Sequence, residues 1–200
     1  MARPLRCVVP GAVYHVVNRG NEKHVVFHED ADYEHFIGLL VRGRQRAEVD
    51  IHGFCLMSTH FHLLVRPLST TALSEYMHWV AGCYACHLRA ITGTVGLGHV
   101  FQRRYFSAAI DDHLGWLTVL GYIEQNPREA QVVQRAEEWR WSSLFDRTNP
   151  RDGLITPGFI DLPDSWVEMV NLPWREFLDA LVAYDLERRQ QERMRRSCTS

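Results

Sequence analysis

Residues 49–67 read VDIHGFCLMSTHFHLLVRP, two apolar stretches joined by Ser58 and Thr59. Val49–Met57 and 60–66 are rich in β-branched, aromatic and other apolar residues, a composition that predicts two strands. Ser58 and Thr59 suit the turn between the strands, and Pro67 stops the second strand because it has no backbone N–H. The segment therefore predicts a pair of strands joined by a tight turn.

The sequence before this pair predicts a strand followed by a helix. Residues 11–18 read GAVYHVVN and predict a strand, which Asn18 to Asn21 end as a loop. Asp30 can cap the helix that follows. Its apolar residues are spaced by threes and fours, as on one face of a helix: Tyr33, Phe36, Ile37, Leu40 and Val41.

The sequence after the pair repeats this alternation. Residues 69–71 offer helix caps, and the apolar stripe that follows predicts a long helix: Leu73, Met77, Val80, Tyr84, Leu88 and Ile91. Residues 92–99 predict a loop, and 100–110 predict a fourth strand. Asp111 and Asp112 open another helix, which we expect to end near Asn126, because Pro127 disfavours helix in the residue before it.

The resulting order is β-α-β-β-α-β followed by a helix, which predicts an α+β, ferredoxin-like fold. In this fold both crossover helices cover one face of an antiparallel sheet. We expect one domain over residues 1–146 and an appendage over 147–200. The appendage begins with a Pro-, Gly- and Asp-rich linker at 147–163 and continues with helix interrupted at Pro173.

The composition is that of an ordinary globular protein. The chain has 200 residues, 46% hydrophobic and 23% charged, and no apolar run approaches the roughly 20 residues of a membrane helix. Five scattered cysteines and the absence of a secretion signal favour the cytoplasm. The net charge of −2 excludes a uniformly basic nucleic-acid binder but allows local arginine clusters.

The His-Phe-His sequence at 60–62 is the first candidate site. Alternate strand residues share a face, so His60 and His62 project together while Phe61 packs on the other side. Two neutral imidazoles at this spacing can bind one divalent ion. The alternative is two exposed histidines without a ligand, which the pattern alone favours.

Tyr122 and Asn126 form the second candidate site. They lie four residues apart in the predicted helix and so face one side. A tyrosine can attack phosphorus and hold a DNA strand covalently, helped by a cation that stabilises the developing charge. Asn126 offers a neutral oxygen ligand, and Gln125 is the alternative. Without a site, Tyr122 is a core aromatic and Asn126 a helix cap.

The sequence Cys83-Tyr84-Ala85-Cys86-His87 matches the pattern for covalent haem attachment. It falls inside the long predicted helix, with Tyr84 in the apolar stripe and no export signal. A single pair of cysteines is also a poor zinc site. We therefore assign neither haem nor zinc to this motif.

Five segments in register resemble the REP-associated tyrosine transposases, a branch of the single-tyrosine HUH transposases of insertion sequences. In chain order these segments are PGAVYHVVNRGNEKHVVFHEDADYEHFIGLL, IHGFCLMSTHFHLLVRP, GHVFQRRYFSAAI, GYIEQNPREA and WRWSSL. The resemblance extends from about Arg3 to about Leu144.

The resemblance implies that His60 and His62 bind Mg²⁺ or Mn²⁺, with Asn126 as a third ligand and Tyr122 as the nucleophile. The expected substrate is single-stranded DNA beside a palindromic hairpin, cut through a 5′-phosphotyrosine intermediate and rejoined. Arg19, Arg103 and Arg104 are candidate DNA-binding residues. Tyr105 and Phe106 are candidates for stacking on unpaired bases.

The sequence departs from the family pattern at several points. Met57-Ser58-Thr59-His60 replaces the expected Met-Pro-Asn-His, although Ser58 and Thr59 still suit a turn. Glu124 places an acidic residue where it could affect the approach of phosphate, and the Gly-Arg-Pro tail of many relatives is absent. A rival hypothesis is a domesticated hairpin-binding protein that no longer cuts DNA. A monomer is slightly favoured over a dimer.

Overall fold

A four-stranded antiparallel sheet forms the centre of the computed structural model, which describes residues 8–96, 98–102, 104–149, 154–158 and 161–197. Its strands are β1 (Val13–Arg19), β2 (Val49–Met57), β3 (His60–Pro67) and β4 (Phe106–Ile110). They lie in the order β2-β3-β1-β4, and each neighbouring pair is antiparallel. With the helices given below, this confirms the predicted α+β, ferredoxin-like arrangement.

Helices α1 (Asp30–Arg46) and α2 (Ala72–Thr92) cover one face of the sheet. Phe61, Leu63 and Val65 of β3 are fully buried in the same apolar cluster as the inner faces of these helices. At the helix interface, the Tyr76 hydroxyl donates a hydrogen bond to the Leu40 carbonyl oxygen at 3.1 Å. The predicted division of β3 side chains between two faces is therefore confirmed for its apolar half.

The opposite face is covered by α3 (His113–Glu129) together with helices from the C-terminal part of the chain. The further helices are α4 (Ser143–Thr148), α5 (Trp166–Val170) and α6 (Trp174–Ser197). Leu64 of β3, Leu120 of α3 and Phe177 of α6 belong to one buried cluster on this side. The predicted break at Pro173 is confirmed, because α5 and α6 lie on either side of it.

The segment expected to be a linker contacts the sheet where the structure describes it. The Thr156 N–H donates to the Ile51 carbonyl at 2.7 Å, and the Arg44 guanidinium donates to the Leu154 carbonyl at 3.0 Å. The division into 1–146 and 147–200 stays a prediction. None of the helices in the described ranges is long and apolar enough to cross a lipid bilayer.

The fourth strand is shorter than predicted. We expected a strand over 100–110, whereas β4 occupies only Phe106–Ile110. Phe101 forms an isolated bridge with Gly20, and its ring is buried against Phe61 at a centroid distance of 5.7 Å. Packing of Phe101 into the core separates this bridge from β4, an effect that local strand propensity does not reveal.

Helix α3 also continues beyond its predicted end. It passes through Pro127 to Glu129, whereas we expected an end near Asn126. The Gln125 side chain donates to the carbonyl oxygens of Val170 and Leu172, and Arg128 donates to the same Leu172 oxygen. These tertiary contacts hold the last turn of the helix and override the local preference of the residue before proline.

Gly121 is expected to be essential for the close packing of α6 on α3. A Cβ atom added there would lie 2.0 Å from Cζ of Phe177, which is fully buried. We expect Gly121→Ala to lower the free energy of unfolding by about 1–3 kcal/mol through overpacking. Urea denaturation measures this change.

Gly82→Ala is the matched control, because Gly82 also lies inside a helix and a Cβ atom there meets no neighbour within 4 Å. Alanine should stabilise this position by about 0.5–1 kcal/mol through its higher helix propensity. Equal effects of the two substitutions would contradict the proposed close contact between Gly121 and Phe177.

Candidate active site

His60 and His62 lie on the sheet face that α3 covers, opposite the side chain of Phe61. Their ring centroids are 5.0 Å apart with an interplanar angle of 81°. His62 is buried and His60 is half-buried, and burial is the main cause that lowers the pKa of both imidazoles. Both rings are therefore neutral near pH 7, the state in which imidazole binds a metal ion.

Thr59 helps to orient the first histidine. Its hydroxyl lies 3.1 Å from His60 Nδ1, within hydrogen-bond distance. The departure from the family pattern at this turn therefore leaves a side chain that holds the His60 ring.

Tyr122 lies on the side of α3 that faces the histidine pair. The centroid of its ring is 5.6 Å from that of His62, in an edge-to-face arrangement. The residue keeps 44% of its surface exposed although it packs against the sheet. The phenol is therefore close to the imidazoles and still open to a ligand from solvent.

Asn126 lies one turn further along α3, where its side chain is near His60 and partly offsets the lowering of the pKa of that imidazole by burial. Gln125 points elsewhere, because it is buried and donates to the Val170 and Leu172 carbonyl oxygens at 2.8 and 2.6 Å. Of the two alternatives left by the sequence, only Asn126 faces the histidine pair. Its role as a metal ligand stays a prediction.

Two aromatic residues that sequence reasoning missed complete the surroundings of Tyr122. His15 Nε2 lies 2.9 Å from His62 Nδ1, and the His15 ring centroid is 6.0 Å from that of Tyr122. Trp174, the first residue of α6, packs at 6.1 Å from the Tyr122 centroid. Strand alternation carried a signal for His15, which shares a face with Val13. Nothing in the sequence placed Trp174 there.

The candidate DNA-binding arginines, unlike the catalytic candidates, do not all lie at one site. Arg19 is exposed at the end of β1, directly opposite His60 in the strand register, and its charge contributes to the lowered pKa of His60. Arg104 is exposed on an open groove of about 930 Å³ between α2 and the segment before β4. Arg103 lies outside the described residues. Of the two described candidate arginines, Arg19 is the one that lies beside the histidine pair.

The residues expected to stack on bases differ in exposure. Phe106 is 60% exposed at the start of β4, whereas Tyr105 is half-buried beside the groove that Arg104 lines. Phe106 is therefore the more accessible of the two.

Glu124 does not face the candidate site. It is fully buried on another side of α3, where its carboxylate accepts hydrogen bonds from Ser143, Arg147 and Trp166. The expectation that Glu124 affects the approach of phosphate is therefore wrong. Its charge is compensated inside the protein, where it ties α3 to α4 and α5.

The Cys-x-x-Cys-His sequence lies on the outer part of α2. Cys86 is exposed, Cys83 is half-buried, and the His87 ring stacks on His35 of α1 at a centroid distance of 3.8 Å. Across the described ranges, no group of three or more histidine, cysteine, aspartate or glutamate side chains is placed to hold a metal ion. Among the described residues, a cation at the His60–His62 pair would therefore take a further ligand of another type, such as an amide oxygen.

The buried histidines predict a loss of stability in mild acid. Burial lowers the pKa of His15 to about 4 and lowers the pKa of His52 and His62 as well. In the unfolded chain the pKa of histidine is about 6.5. Below this pH the unfolded chain binds protons that the folded chain does not bind, so the free energy of unfolding falls as the pH falls. Each such histidine contributes up to about 1.4 kcal/mol per pH unit in this window.

Urea denaturation in EDTA at pH 7 and pH 5 measures this effect, and we expect the lower midpoint at pH 5. His15→Gln should show a shallower decline, because one of the titrating groups is gone. A midpoint that does not change between the two pH values would contradict the predicted burial of neutral histidines.

Two solved structures resemble this chain to different degrees. The structure of a REP-associated tyrosine transposase bound to a REP hairpin superposes with a TM-score of 0.60 at 15% identity, covering 82% of this chain and 96% of that one. A candidate transposase from Deinococcus radiodurans R1 aligns with a TM-score of 0.43 and 14% identity over 56% of this chain and 88% of its own. No curated protein sequence matches the chain.

The family comparison covers the sheet and most of α3. The model of the family described as IS200-like transposase matches residues 8–126, which are more than half of the chain and include His60, His62, Tyr122 and Asn126. The superposed structure shows that the fold is the one used by a REP-associated tyrosine transposase. The chain therefore belongs to the family of IS200-like transposases.

Proposed function

We propose that this protein cleaves and rejoins single-stranded DNA beside palindromic hairpins, with Tyr122 as the nucleophile. The observation that carries the proposal is the half-exposed Tyr122 ring, 5.6 Å from the ring of His62. The phenol and the imidazoles lie on elements that are distant in sequence but close in the structure. The chain belongs to a transposase family, which supports a role for this arrangement in DNA cleavage. The retention of both histidines and Tyr122 in this arrangement argues against the rival hypothesis of hairpin binding without cleavage.

The proposed reaction consists of two phosphoryl transfers. In the first, Tyr122 Oη attacks the phosphorus and forms a 5′-phosphotyrosine, while the bond from phosphorus to the 3′-oxygen breaks. The phenol proton is balanced by the proton that the released 3′-hydroxyl gains. In the second, a 3′-hydroxyl attacks the phosphotyrosine, the strand is rejoined and Tyr122 recovers its proton.

The residues beside Tyr122 fit Mn²⁺ or Mg²⁺. Burial lowers the pKa of His60 and His62, which favours their neutral, metal-binding form, and Asn126 lies near His60, where its carboxamide oxygen would be a third ligand of a shared cation. Imidazole nitrogens suit Mn²⁺ better than Mg²⁺, which prefers oxygen ligands. A bound cation would polarise the scissile phosphate and stabilise the charge that develops in the transition state.

Arg19 is the DNA contact that the site supports best. It is exposed beside His60, where its guanidinium can hold a phosphate close to the scissile bond. The superposed relative is bound to a REP hairpin, which supports a hairpin as the partner of this chain also.

Since one chain supplies His60, His62 and Tyr122, we propose that a monomer is active. Size-exclusion chromatography with light scattering tests this proposal.

The test of the proposed function uses DNA that contains palindromic repeats of the source genome with single-stranded flanks. The DNA is labelled at either end and incubated with protein and Mn²⁺. We expect the 3′-labelled fragment to become covalently attached to the protein and the 5′-labelled fragment to be released with an extendable 3′-hydroxyl. His60→Ala should lose the adduct.

Each other outcome counts against a specific part of the proposal. An adduct that carries the 5′ label would contradict the polarity. Tight hairpin binding with no adduct in either Mn²⁺ or Mg²⁺ would establish the rival, non-cleaving function.

A further inference from the structure

We infer that His15 is a positioning residue, which accepts a hydrogen bond from His62 Nδ1 and thereby leaves His62 Nε2 free to bind the cation. Neither the sequence motifs nor the family resemblance singled out His15. The inference rests on the proposed function, because it concerns the cation site of that reaction. In this inference His15 would act on His62, a proposed ligand of the cation, rather than on the DNA.

The contact is built into the sheet. In the register of β1 and β3, Val17 pairs with His62 and His15 pairs with Leu64, so the two histidines are diagonal neighbours on one face. His15 Nε2 and His62 Nδ1 are 2.9 Å apart, and the ring planes deviate by only 16°. Such near-parallel planes suit an in-plane hydrogen bond between imidazoles.

The chemistry of neutral imidazole gives this contact a direction. Each neutral ring carries one N–H donor and one acceptor nitrogen. If His15 donates, the proton of His62 must be on Nε2, and that atom has no lone pair for a cation. If His62 donates through Nδ1, its Nε2 lone pair is available. While this contact is kept, cation binding by His62 through Nε2 therefore requires His15 to act as the acceptor.

The surroundings of His15 support this role. His15 is half-buried between His62 and Tyr122, whose ring centroids lie 5.2 and 6.0 Å away. A second partner on a metal-binding histidine commonly fixes its ring and tautomer, and loss of such a partner weakens metal binding by about 10- to 100-fold. His15 is the described residue that hydrogen-bonds the His62 imidazole.

The experiment compares His15→Leu, which removes the acceptor, with His15→Gln, whose carbonyl oxygen can replace it. His52→Leu is the matched control, because His52 is another buried histidine, hydrogen-bonded to the Thr156 carbonyl at 3.1 Å rather than to the histidine pair. Isothermal titration calorimetry gives the Kd for Mn²⁺. NMR of the imidazole nitrogens in the metal-free proteins gives the tautomer of His62.

We expect wild type to show His62 protonated on Nδ1, and His15→Leu to lose this single tautomer and bind Mn²⁺ about 10- to 100-fold more weakly. His15→Gln should recover most of the affinity, and His52→Leu should keep it even if it is less stable. Unchanged affinity and tautomer in His15→Leu would overturn the inference, as would an Nε2 proton on His62 in wild type.

The two proposals fail in different ways. If wild type bound no Mn²⁺, or bound it equally well as His60→Ala, the proposed cation site would be lost. The tautomer of His62 in metal-free protein would still decide whether His15 orients its neighbour.

Discussion

Tyr122→Phe is expected to abolish covalent attachment to DNA and to lower strand cleavage by about 10³-fold or more, because the attacking oxygen is removed. The substitution keeps the aromatic ring and its contacts with His15, His62 and Trp174. Tyr122 is 44% exposed, so loss of its hydroxyl should cost little stability. Hairpin affinity measured by gel shift should therefore stay close to that of wild type.

The other tyrosines provide the control for this result. Tyr76 and Tyr84 are buried, each hydroxyl donates to a backbone carbonyl, and burial raises the pKa of both phenols. Burial also raises the pKa of Tyr33 to about 12. Tyr184→Phe removes a hydroxyl from α6 that donates to the Asp161 carbonyl, and this variant should cleave normally. An adduct that persists in Tyr122→Phe would assign the nucleophile to another residue.

The sequence predicted those parts of the fold that short-range patterns determine. The bounds of β2 are confirmed, because alternation and helical spacing are local properties, whereas α1 begins at Asp30 and is capped by Glu29 rather than by Asp30 as predicted. The predicted end of α3 was wrong, because Gln125 and Arg128 hold the turn around Pro127 through hydrogen bonds to Val170 and Leu172. Those partners are more than 40 residues away in the chain, and no local pattern reports them.

The sequence likewise predicted those parts of the candidate site that depend on local patterns, and not those that depend on long-range packing. Strand parity predicted that His60 and His62 share a face, and helical spacing predicted that Tyr122 and Asn126 do. Only the resemblance to a known family predicted that α3 brings Tyr122 and Asn126 close to the histidines of β3. The contact of Trp174 with Tyr122 depends on how α6 packs over Gly121, where a Cβ atom would meet the Phe177 ring. Such a contact is fixed only by the assembled core.

Glu124→Leu is expected to lower the free energy of unfolding by about 3–5 kcal/mol, a large part of the stability of a typical domain. The fully buried carboxylate accepts hydrogen bonds from Ser143 Oγ at 2.5 Å, Arg147 Nε at 2.9 Å and Trp166 Nε1 at 2.7 Å. Leucine would leave three donors without their acceptor, and one of them carries a charge that is largely shielded from water.

A second substitution distinguishes this cause from simple loss of packing. In Glu124→Leu/Arg147→Met both charges are removed together, so the double variant should be more stable than Glu124→Leu alone even though it has lost one more native side chain. Glu129→Leu is the control on the same helix, where the ion pair with Arg128 is exposed and contributes less than about 1 kcal/mol.

Urea denaturation of wild type and the three variants gives these differences. A loss in the double variant that equals or exceeds the loss in Glu124→Leu would show that the buried charge is not the origin of the effect. A smaller loss in the double variant would show that Glu124 holds α3 in place through its pairing with Arg147. Because Tyr122 lies two residues before Glu124 on the same helix, the position of the phenol over the histidine pair would then depend on an ion pair buried on another side of α3.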